Sequence, residues 1–522
     1  MRRLLAVWTL VAAAALAVHL GGYPLLEPDE GRNGEVGREM AATNDYVLPH
    51  IDGLPYLDKP IVYFAAEAAA MEVLGATELA ARLPAFVFTL LTAALLAWFA
   101  RRVGIDPSVT TIVFLAMPLT MAFARTVIFD SALSFFVTLA IIAFFQSVEE
   151  GWRWSVVAWS AIALGVLTKG PVAIALPLLI AIPYAIWRGR FRRLWSWGGL
   201  LLFVVIIAPW VWGVMIAIPD FLRYVLVTET AQRLTTGALK RTGPPWYFVP
   251  YLIGGAFPWS IALFFGGKSE PSAAPWRNRL LWLWIVVPFV FFSLSQSKRP
   301  QYILPLMPAI ALLVASRWTE RMAKAAATAT LVFGALIAIA APRVHLRPEF
   351  AGAAREAAMM LAATAIVAGA VALWRRQASI VAMSIPILVI PLVTNGVMQS
   401  LALRRSEKAV ALAMKPHLTP STEIVGIEAF TGSMAFYLQR PIVVVSPDGD
   451  EFTSNYIIRH YGSFADRSNL RSVRSLASMF DHSRPRLVVV RNNDAANRAL
   501  VEARGGVLLA RGGHFTAYTI AR

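Results

Sequence analysis

Long apolar runs recur along this 522-residue chain, and they constrain its fold more than any other feature. A helix needs about 17–25 apolar residues to cross a bilayer. The composition agrees, since 57% of the residues are hydrophobic and 15% are charged, whereas soluble proteins have about 45–50% and about 25%. We predict an all-α polytopic membrane protein with about thirteen transmembrane helices, at 1–20, 79–99, 107–124, 131–148, 153–168, 171–187, 195–217, 246–266, 280–295, 301–316, 325–341, 353–373 and 378–398.

The first apolar run has two interpretations. Arg2 and Arg3 precede it, which is the outline of a signal peptide. An uncleaved first span with a cytoplasmic N-terminus has the same pattern. We favour the span, because the residues that follow it carry charged motifs typical of a functional loop.

The basic residues indicate an orientation. If the spans alternate from an inside N-terminus, the short inner loops hold 17 Lys and Arg but four acidic residues. Such an excess marks the cytoplasmic side. The net charge of +17 is therefore mainly a signal of topology, and nucleic acid is not a predicted partner. The C-terminal segment then lies outside the membrane.

The chain divides into a membrane domain and a polar tail. We predict a transmembrane domain at 1–400, with a first outer loop at 21–78 that carries juxtamembrane helices and a later outer loop at 218–245. Residues 404–522 read as a small α/β soluble domain on the outer face. Its predicted strands are 423–427, 441–445, 486–491, 507–509 and 516–520, and residues 493–504 have a helical pattern.

Charged side chains gather at the outer ends of different spans, where charge near hydrocarbon usually pairs or serves function. Structural ion pairs and helix-end anchors explain any one of them as well. Together they suggest one outward cavity. The set comprises Glu27, Asp29, Glu30, Arg32 and Glu35 in the first outer loop, Asp58 and Lys59 later in it, and Arg125, Asp130, Lys169, Lys298 and Arg299 at later turns.

These residue types favour phosphate chemistry on a lipid carrier. Lys and Arg at a membrane surface bind phosphate head groups, and a nearby carboxylate can take a proton from an attacking hydroxyl or hold a divalent metal. The chain has no cysteine, no GxxxxGK[ST] and no HExxH motif, so thiolate, P-loop and zincin chemistry are not predicted.

Several short motifs, in order, resemble one family. The sequence is similar to the GT-C membrane glycosyltransferases of family 39, in particular the bacterial lipid A aminoarabinose transferase branch. The resemblance covers about residues 1–320. The motifs are residues 27–40, Gly53–Pro60 with Asp58 where the family usually has Glu, Ala81–Pro84, Arg125–Asp130, Thr168–Pro171, Pro244–Tyr247, Phe257–Trp259, Ser297–Tyr302 with Leu304–Pro308, and Phe436–Pro441 in the tail.

The resemblance implies roles for individual residues. Asp29 would be the catalytic carboxylate of the first loop, with Glu30 and Arg32 in support. The other implied catalytic residues are Asp58, facing the sugar phosphate, and Asp130, with Arg125 as its partner. Phosphate and lipid-carrier contacts would come from Arg32, Lys59, Arg125, Lys169, Lys298, Arg299 and Tyr302.

The resemblance also implies a reaction. A sugar, aminoarabinose or a related pentose or hexose, would move from polyprenyl (undecaprenyl) phosphate to lipid A or another envelope acceptor, at the outer face of a bacterial inner membrane. No cofactor is certain, and a divalent metal at Asp58 is an open expectation. Two alternatives stay open: a transporter or flippase of lipid-linked sugar, and an enzyme like the protein O-mannosyltransferases that uses a hydroxyl acceptor.

Overall fold

The computed structural model describes residues 2–225, 243–265, 275–480 and 484–520. The chain forms two compact units. A helical unit comprises 1–20 and 85–394, and a mixed unit comprises 21–84 and 395–522. Most of the predicted outer loop 218–245, and part of the inner loop 268–279, lie outside the described residues.

The helical unit is built from apolar helices separated by short turns. The helices of more than one turn are Arg2–Ala17, Glu78–Arg102 (whose first turns belong to the mixed unit), Pro107–Leu115, Pro118–Phe123, Asp130–Glu149, Trp154–Lys169, Val172–Trp187, Trp197–Ala217, Phe248–Gly255, Trp259–Phe264, Pro275–Leu294, Met307–Arg317, Glu320–Ala340, Pro348–Trp374 and Ser379–Leu388. Short pieces at Phe191–Leu194, Phe221–Arg223, Pro300–Leu306, Arg376–Ala378 and Ile390–Val393 join them.

Within the described residues, seven helices are long and apolar enough to cross a membrane, and three shorter apolar helices accompany them. The polytopic prediction is confirmed, but the count of thirteen is not. Proline is one reason, because it cannot donate the helical hydrogen bond. Pro118 begins a new helix within the predicted span 107–124, and Pro258 precedes another within 246–266.

Two of the long helices have opposite surroundings. The window in Asp130–Glu149 is 89% buried in protein, whereas that in Phe191–Ala217 is 6% buried with a mean hydropathy of 2.6. A helix that is apolar on all sides and uncovered by protein suits lipid. The covered helix begins at Asp130, so this carboxylate lies at the start of a protein-enclosed segment.

The mixed unit combines two helices of the first loop with the tail. The first loop helix is Asp29–Thr43, and the second loop helix is Val62–Leu74. A small hairpin of β1 (His50–Ile51) and β2 (Leu54–Pro55) lies between them in sequence. The remaining helices of the unit are Asn395–Arg405, Lys408–Met414, Lys415–His417, Gly432–Leu438, Asp450–Phe452, Asn455–Arg459, Tyr461–Phe464, Val473–Phe480 and Ala495–Ala503.

A six-stranded sheet forms the core of the tail. Its strands are β3 (Glu423–Ile427), β4 (Val443–Val445), β5 (Leu470–Arg471), β6 (Arg486–Arg491), β7 (Val507–Arg511) and β8 (Phe515–Ile520). The order is β5-β4-β3-β6-β8-β7. Strands β5, β4, β3 and β6 are parallel to one another, and β8 pairs antiparallel with both β6 and β7. The α/β tail predicted from the sequence is confirmed, including the bounds of β3 and β6.

Close helix packing in the mixed unit depends on glycine. A Cβ at Gly31 would lie 2.6 Å from the Ser433 backbone nitrogen, and a Cβ at Gly432 would lie 2.4 Å from the Arg32 Cα. A Cβ at Gly37 would lie 2.7 Å from the Cβ of Glu67 on the second loop helix. Only a residue without a side chain permits these approaches. The first loop helix is thereby held against the tail on one side and the second loop helix on another.

A buried ion pair fixes the start of the first loop helix. The Arg82 guanidinium donates to both Glu30 carboxylate oxygens, at 2.9 and 2.7 Å, and to the backbone carbonyls of Tyr23 and Pro24. It also stacks on the Tyr23 ring at 3.8 Å. The side chains of Arg82 and Glu30 are 0% and 5% exposed.

We expect Arg82→Leu to destabilise the protein by about 3–5 kcal/mol, because it leaves a buried carboxylate without its guanidinium. Thermal unfolding in detergent measures the effect. Arg102→Leu is the matched control, since its pair with Glu150 is 42% and 39% exposed and such pairs contribute about 0–1 kcal/mol. Equal melting temperatures for the two variants would contradict this account.

Candidate functional site

Asp29 and Arg32 form the most accessible pair of the first-loop motif. Arg32 Nη2 donates to Asp29 Oδ1 at 2.7 Å, one helical turn along the first loop helix. Asp29 is 27% exposed, whereas Glu30 and Glu35 are 5% and 2% exposed. A carboxylate that is charged, oriented by arginine and open to solvent can receive a proton or hold an acceptor group.

Arg32 connects the first loop helix to the tail. Its Nη1 donates to the Thr453 hydroxyl at 3.0 Å, while its buried Nε has no hydrogen-bond partner among the described residues. The negative charge of Asp58 also acts on this guanidinium. Arg32 therefore lies where several predicted site residues converge.

Glu30, expected to support Asp29, is buried and bound to Arg82. Both of its oxygens bind Arg82, and Oε2 also accepts a bond from the Leu26 backbone nitrogen at 3.0 Å. The side chain is 5% exposed. These contacts stabilise the start of the first loop helix, which is a structural role for Glu30.

Asp58 is engaged with the tail. Its Oδ1 accepts from the Ser454 hydroxyl at 3.3 Å and the Tyr456 backbone nitrogen at 3.2 Å, and its Oδ2 accepts from the Asn455 nitrogen at 3.0 Å. A carboxylate that accepts backbone N–H groups at a helix start stabilises that helix. The structure thus places Asp58 at the beginning of helix Asn455–Arg459. Its neighbour Lys59 directs its ammonium to the Asp58 carbonyl at 2.5 Å.

A metal ion does not fit the residues around Asp58. A carboxylate has about four lone-pair positions, and hydrogen bonds from three donors already occupy most of them at Asp58. In the described parts of the chain, no group of three or more His, Asp or Glu side chains could hold a metal ion. We therefore derive no step through a metal.

A second cluster of predicted residues lies in the helical unit. Lys169 Nζ donates to Asp130 Oδ1 at 2.5 Å, and these side chains are 14% and 2% exposed. The same ammonium lies 5.0 Å from the centre of the Tyr302 ring. Arg125, the partner expected for Asp130, donates to the backbone carbonyl of Leu16. The sequence placed these residues at turns of separate spans, and the structure brings Asp130, Lys169 and Tyr302 together.

Lys298 and Arg299 are consecutive but differ in their surroundings. Lys298 Nζ donates to the carbonyls of Ser293 and Ser295, both at 2.7 Å, and the residue is 7% exposed. Two of its three donors are thus used to hold the end of helix Pro275–Leu294. Arg299 is half-buried, and its charge acts on the Tyr247 hydroxyl.

The mixed unit also contains a cleft of about 520 Å³. Arg32 and Glu27 contribute to it from the first loop, together with residues of the tail. Glu27 accepts a hydrogen bond from the Ser433 backbone nitrogen at 2.5 Å. Burial raises the pKa of Glu27 to about 7, against the lowering effect of the Ser433 bonds. In the sequence, Glu27 is one acid of the first loop with no predicted role, and the tail residues of the cleft carry no local signal.

Comparisons with known proteins show which proteins the chain is similar to. Residues 7–225 match the family model described as dolichyl-phosphate-mannose-protein mannosyltransferase. The crystal structure of ArnT from Cupriavidus metallidurans bound to undecaprenyl phosphate matches 98% of this chain and 97% of its own, with a TM-score of 0.87 and 25% identity. Its apo crystal structure matches with a TM-score of 0.84 and 24% identity. The GT-C fold predicted from the motifs is confirmed, and the chain is a multi-pass membrane protein.

Curated relatives of the chain carry the names of aminoarabinose transferases. The chain is 31% identical over 338 residues to undecaprenyl phosphate-α-4-amino-4-deoxy-L-arabinose arabinosyl transferase 1 of Pseudomonas fluorescens, which covers 62% of this chain and 60% of the relative. It is 30% identical over 307 residues to the corresponding transferase of Aeromonas hydrophila, at 56% of each chain. These matches span about 60% of the relatives' length or less. The resemblance to aminoarabinose transferases is confirmed.

Glu27 gives the mixed unit a defined pH dependence. An unfolded glutamate titrates near 4.5, while Glu27 in the folded chain titrates near 7. Between these values the folded chain retains a proton that the unfolded chain releases, so the free energy of unfolding falls as the pH rises.

Glu27→Gln keeps an acceptor for Ser433 and removes this titration. We expect its loss of stability between pH 5 and 8 to be smaller than that of the wild type by up to about 3 kcal/mol. Melting curves across that range measure it, with the exposed Asp448→Asn as control. Parallel pH curves for Glu27→Gln and the wild type would disprove the assignment. Burial also raises the pKa of Glu407 to about 7, and this residue titrates in all three proteins.

Proposed function

We propose that the chain is a membrane glycosyltransferase that moves a sugar from undecaprenyl phosphate to lipid A or another acceptor of the envelope. The observation that carries this proposal is the Asp29–Arg32 pair, an accessible carboxylate oriented by arginine on a firmly held helix. The likeness to a transferase crystallised with undecaprenyl phosphate supports the donor. The names of the curated relatives support aminoarabinose as the sugar.

The proposed reaction exchanges one bond for another at the anomeric carbon. The bond between that carbon and the phosphate oxygen of the carrier breaks, and a bond to an acceptor oxygen forms. Undecaprenyl phosphate leaves with the electron pair. Cationic groups that bind the phosphate stabilise the charge that develops on it, and we assign this role to Arg299 and Lys169.

The role of Asp29 depends on the acceptor. A hydroxyl acceptor must lose a proton, and Asp29 would accept it. A phosphate acceptor is already anionic, so Asp29 would instead orient Arg32 and the acceptor. The match to a protein mannosyltransferase model favours keeping the hydroxyl acceptor as a second candidate. We place the mixed unit outside the inner membrane and the N-terminus in the cytoplasm.

Asp29→Asn tests the catalytic assignment. We expect the rate of sugar transfer from undecaprenyl phosphate to lipid A to fall by about 100-fold or more, without a change in melting temperature, because Asp29 is partly exposed. Asp58→Asn is the matched control. It should lower the melting temperature, since it weakens a helix cap by about 0.5–2 kcal/mol, and retain transfer in the folded fraction. A fully inserted Asp29→Asn variant with wild-type transfer would refute the proposal.

Carrier movement without transfer would favour the transporter alternative. Purified protein in proteoliposomes, supplied with labelled undecaprenyl-phosphate sugar, distinguishes the two. Label that appears on the acceptor supports the enzyme. Label that only changes leaflet supports a flippase.

Arg299 and Lys298 provide a second pair of contrasting variants. We expect Arg299→Gln to raise the KM for the donor by about tenfold, because one charge-assisted bond to phosphate is lost. Lys298→Gln should mainly lower the melting temperature, since its ammonium holds two carbonyls. Steady-state kinetics at fixed acceptor, together with melting curves, measure both. A larger KM effect in Lys298→Gln would reverse the assignment.

A further inference from the structure

The sheet of the tail has a topological switch point between β3 and β6. The chain runs outward from β3 through β4 to β5 on one side, and then returns to β6 on the other side of β3. All four strands are parallel. In open α/β sheets of this type, the crevice at the carboxyl ends of the two strands is the place where ligands bind.

The 520 Å³ cleft lies at that switch point. It is lined by residues of the segments that follow β3 (Phe430, Thr431 and Gly432) and β4 (Asp450 to Thr453), and by residues at the end of β6 (Arg491 to Asn493). Its volume falls in the range of small-molecule sites, about 300–1,000 Å³. Fold topology and cavity position therefore identify the same location independently.

The charges of the cleft favour an anion. Arg32, Arg405 and Arg491 all line it. Arg405 is exposed, and its guanidinium makes no hydrogen bond with the described residues. The buried Nε of Arg32 is unsatisfied in the same part of the chain. Arginine binds phosphate through paired N–H donors, so Arg405 offers unused donors of the right type to the cleft.

The other lining groups favour a sugar. Hydroxyl and amide groups of Thr431, Thr453 and Asn493 can exchange hydrogen bonds with sugar hydroxyls, and Phe430 and Phe452 form a ring pair at 4.5 Å beside them. Carboxylates of Glu27 and Asp450 add acceptors for hydroxyl or ammonium groups. A phosphate beside a polyol is the ligand that uses all of these groups.

We propose that this cleft is a binding site for a phosphorylated sugar. If the proposed function holds, the ligand is the phosphorylated sugar head group of the acceptor. The position supports this reading, because Arg32 lines the cleft and is bonded to Asp29. The acceptor head group would then bind beside the catalytic carboxylate, held by arginines that the donor does not need.

The test uses the full chain in a phosphate-free detergent, without donor. Glucosamine 1-phosphate and the first comparison ligand, inorganic phosphate, are each titrated and followed by ³¹P line broadening. The second comparison ligand, unphosphorylated glucosamine, is measured by its displacement of glucosamine 1-phosphate. We expect glucosamine 1-phosphate to bind more tightly than either comparison ligand. Arg405→Gln should weaken it by roughly tenfold, and Arg474→Gln, an exposed arginine of the same unit that does not line the cleft, should bind as the wild type does.

Two outcomes would overturn the proposal. One is binding that Arg405→Gln does not weaken relative to Arg474→Gln. The other is inorganic phosphate binding as tightly as glucosamine 1-phosphate. Because no transfer occurs in this experiment, its failure leaves the transfer assay unaffected. Conversely, a chain that transfers no sugar but shows Arg405-dependent binding would refute the proposed function and leave the binding site supported.

Discussion

The buried Glu30–Arg82 pair is the interaction on which the rest of the mixed unit depends. Two charges removed from water are stable only when the hydrogen bonds around them are satisfied. Arg82 meets this condition through Glu30 and two backbone carbonyls, and it stacks on Tyr23. Consecutive residues of a helix point in different directions. When Glu30 is fixed inward, Asp29 must therefore point elsewhere, and this constraint leaves it accessible.

Glycine residues then allow the first loop helix to pack closely against the tail. Gly31 and Gly432 allow the backbones of the first loop helix and the tail to approach each other. This approach brings Arg32 within hydrogen-bond distance of Thr453. A methyl group at either glycine would separate the two segments and withdraw Arg32 from the cleft. The acidic motif and the tail are thus one structural element, although almost 400 residues of sequence lie between Arg32 and Gly432.

Periodic patterns in the sequence predicted local structure well and long-range partners poorly. Hydropathy located Glu78–Arg102 and Asp130–Glu149, and short apolar runs between polar turns located β3 and β6, because these signals are local. The partners of Asp58 are 396 to 398 residues away in sequence. No spacing rule indicates such a contact. Lys298 shows the same limit, since a lysine that caps a helix end and one that binds phosphate have the same sequence signature.

The charge balance of the cleft restricts what it can select. The cleft is lined by three arginines and three acidic residues, so basic and acidic groups are equal in number. They are Arg32, Arg405 and Arg491, and Glu27, Asp450 and Glu451. A surface of a single sign attracts any polyion of the opposite sign, and its binding falls steeply with salt. A mixed site holds a ligand firmly only where each group meets its complement, so discrimination comes from geometry. A molecule with a phosphate at one end and hydroxyl or ammonium donors at the other meets that requirement. Free phosphate brings a negative charge to the carboxylates and no hydroxyl or ammonium donor for them. A neutral sugar leaves the arginines without an anion.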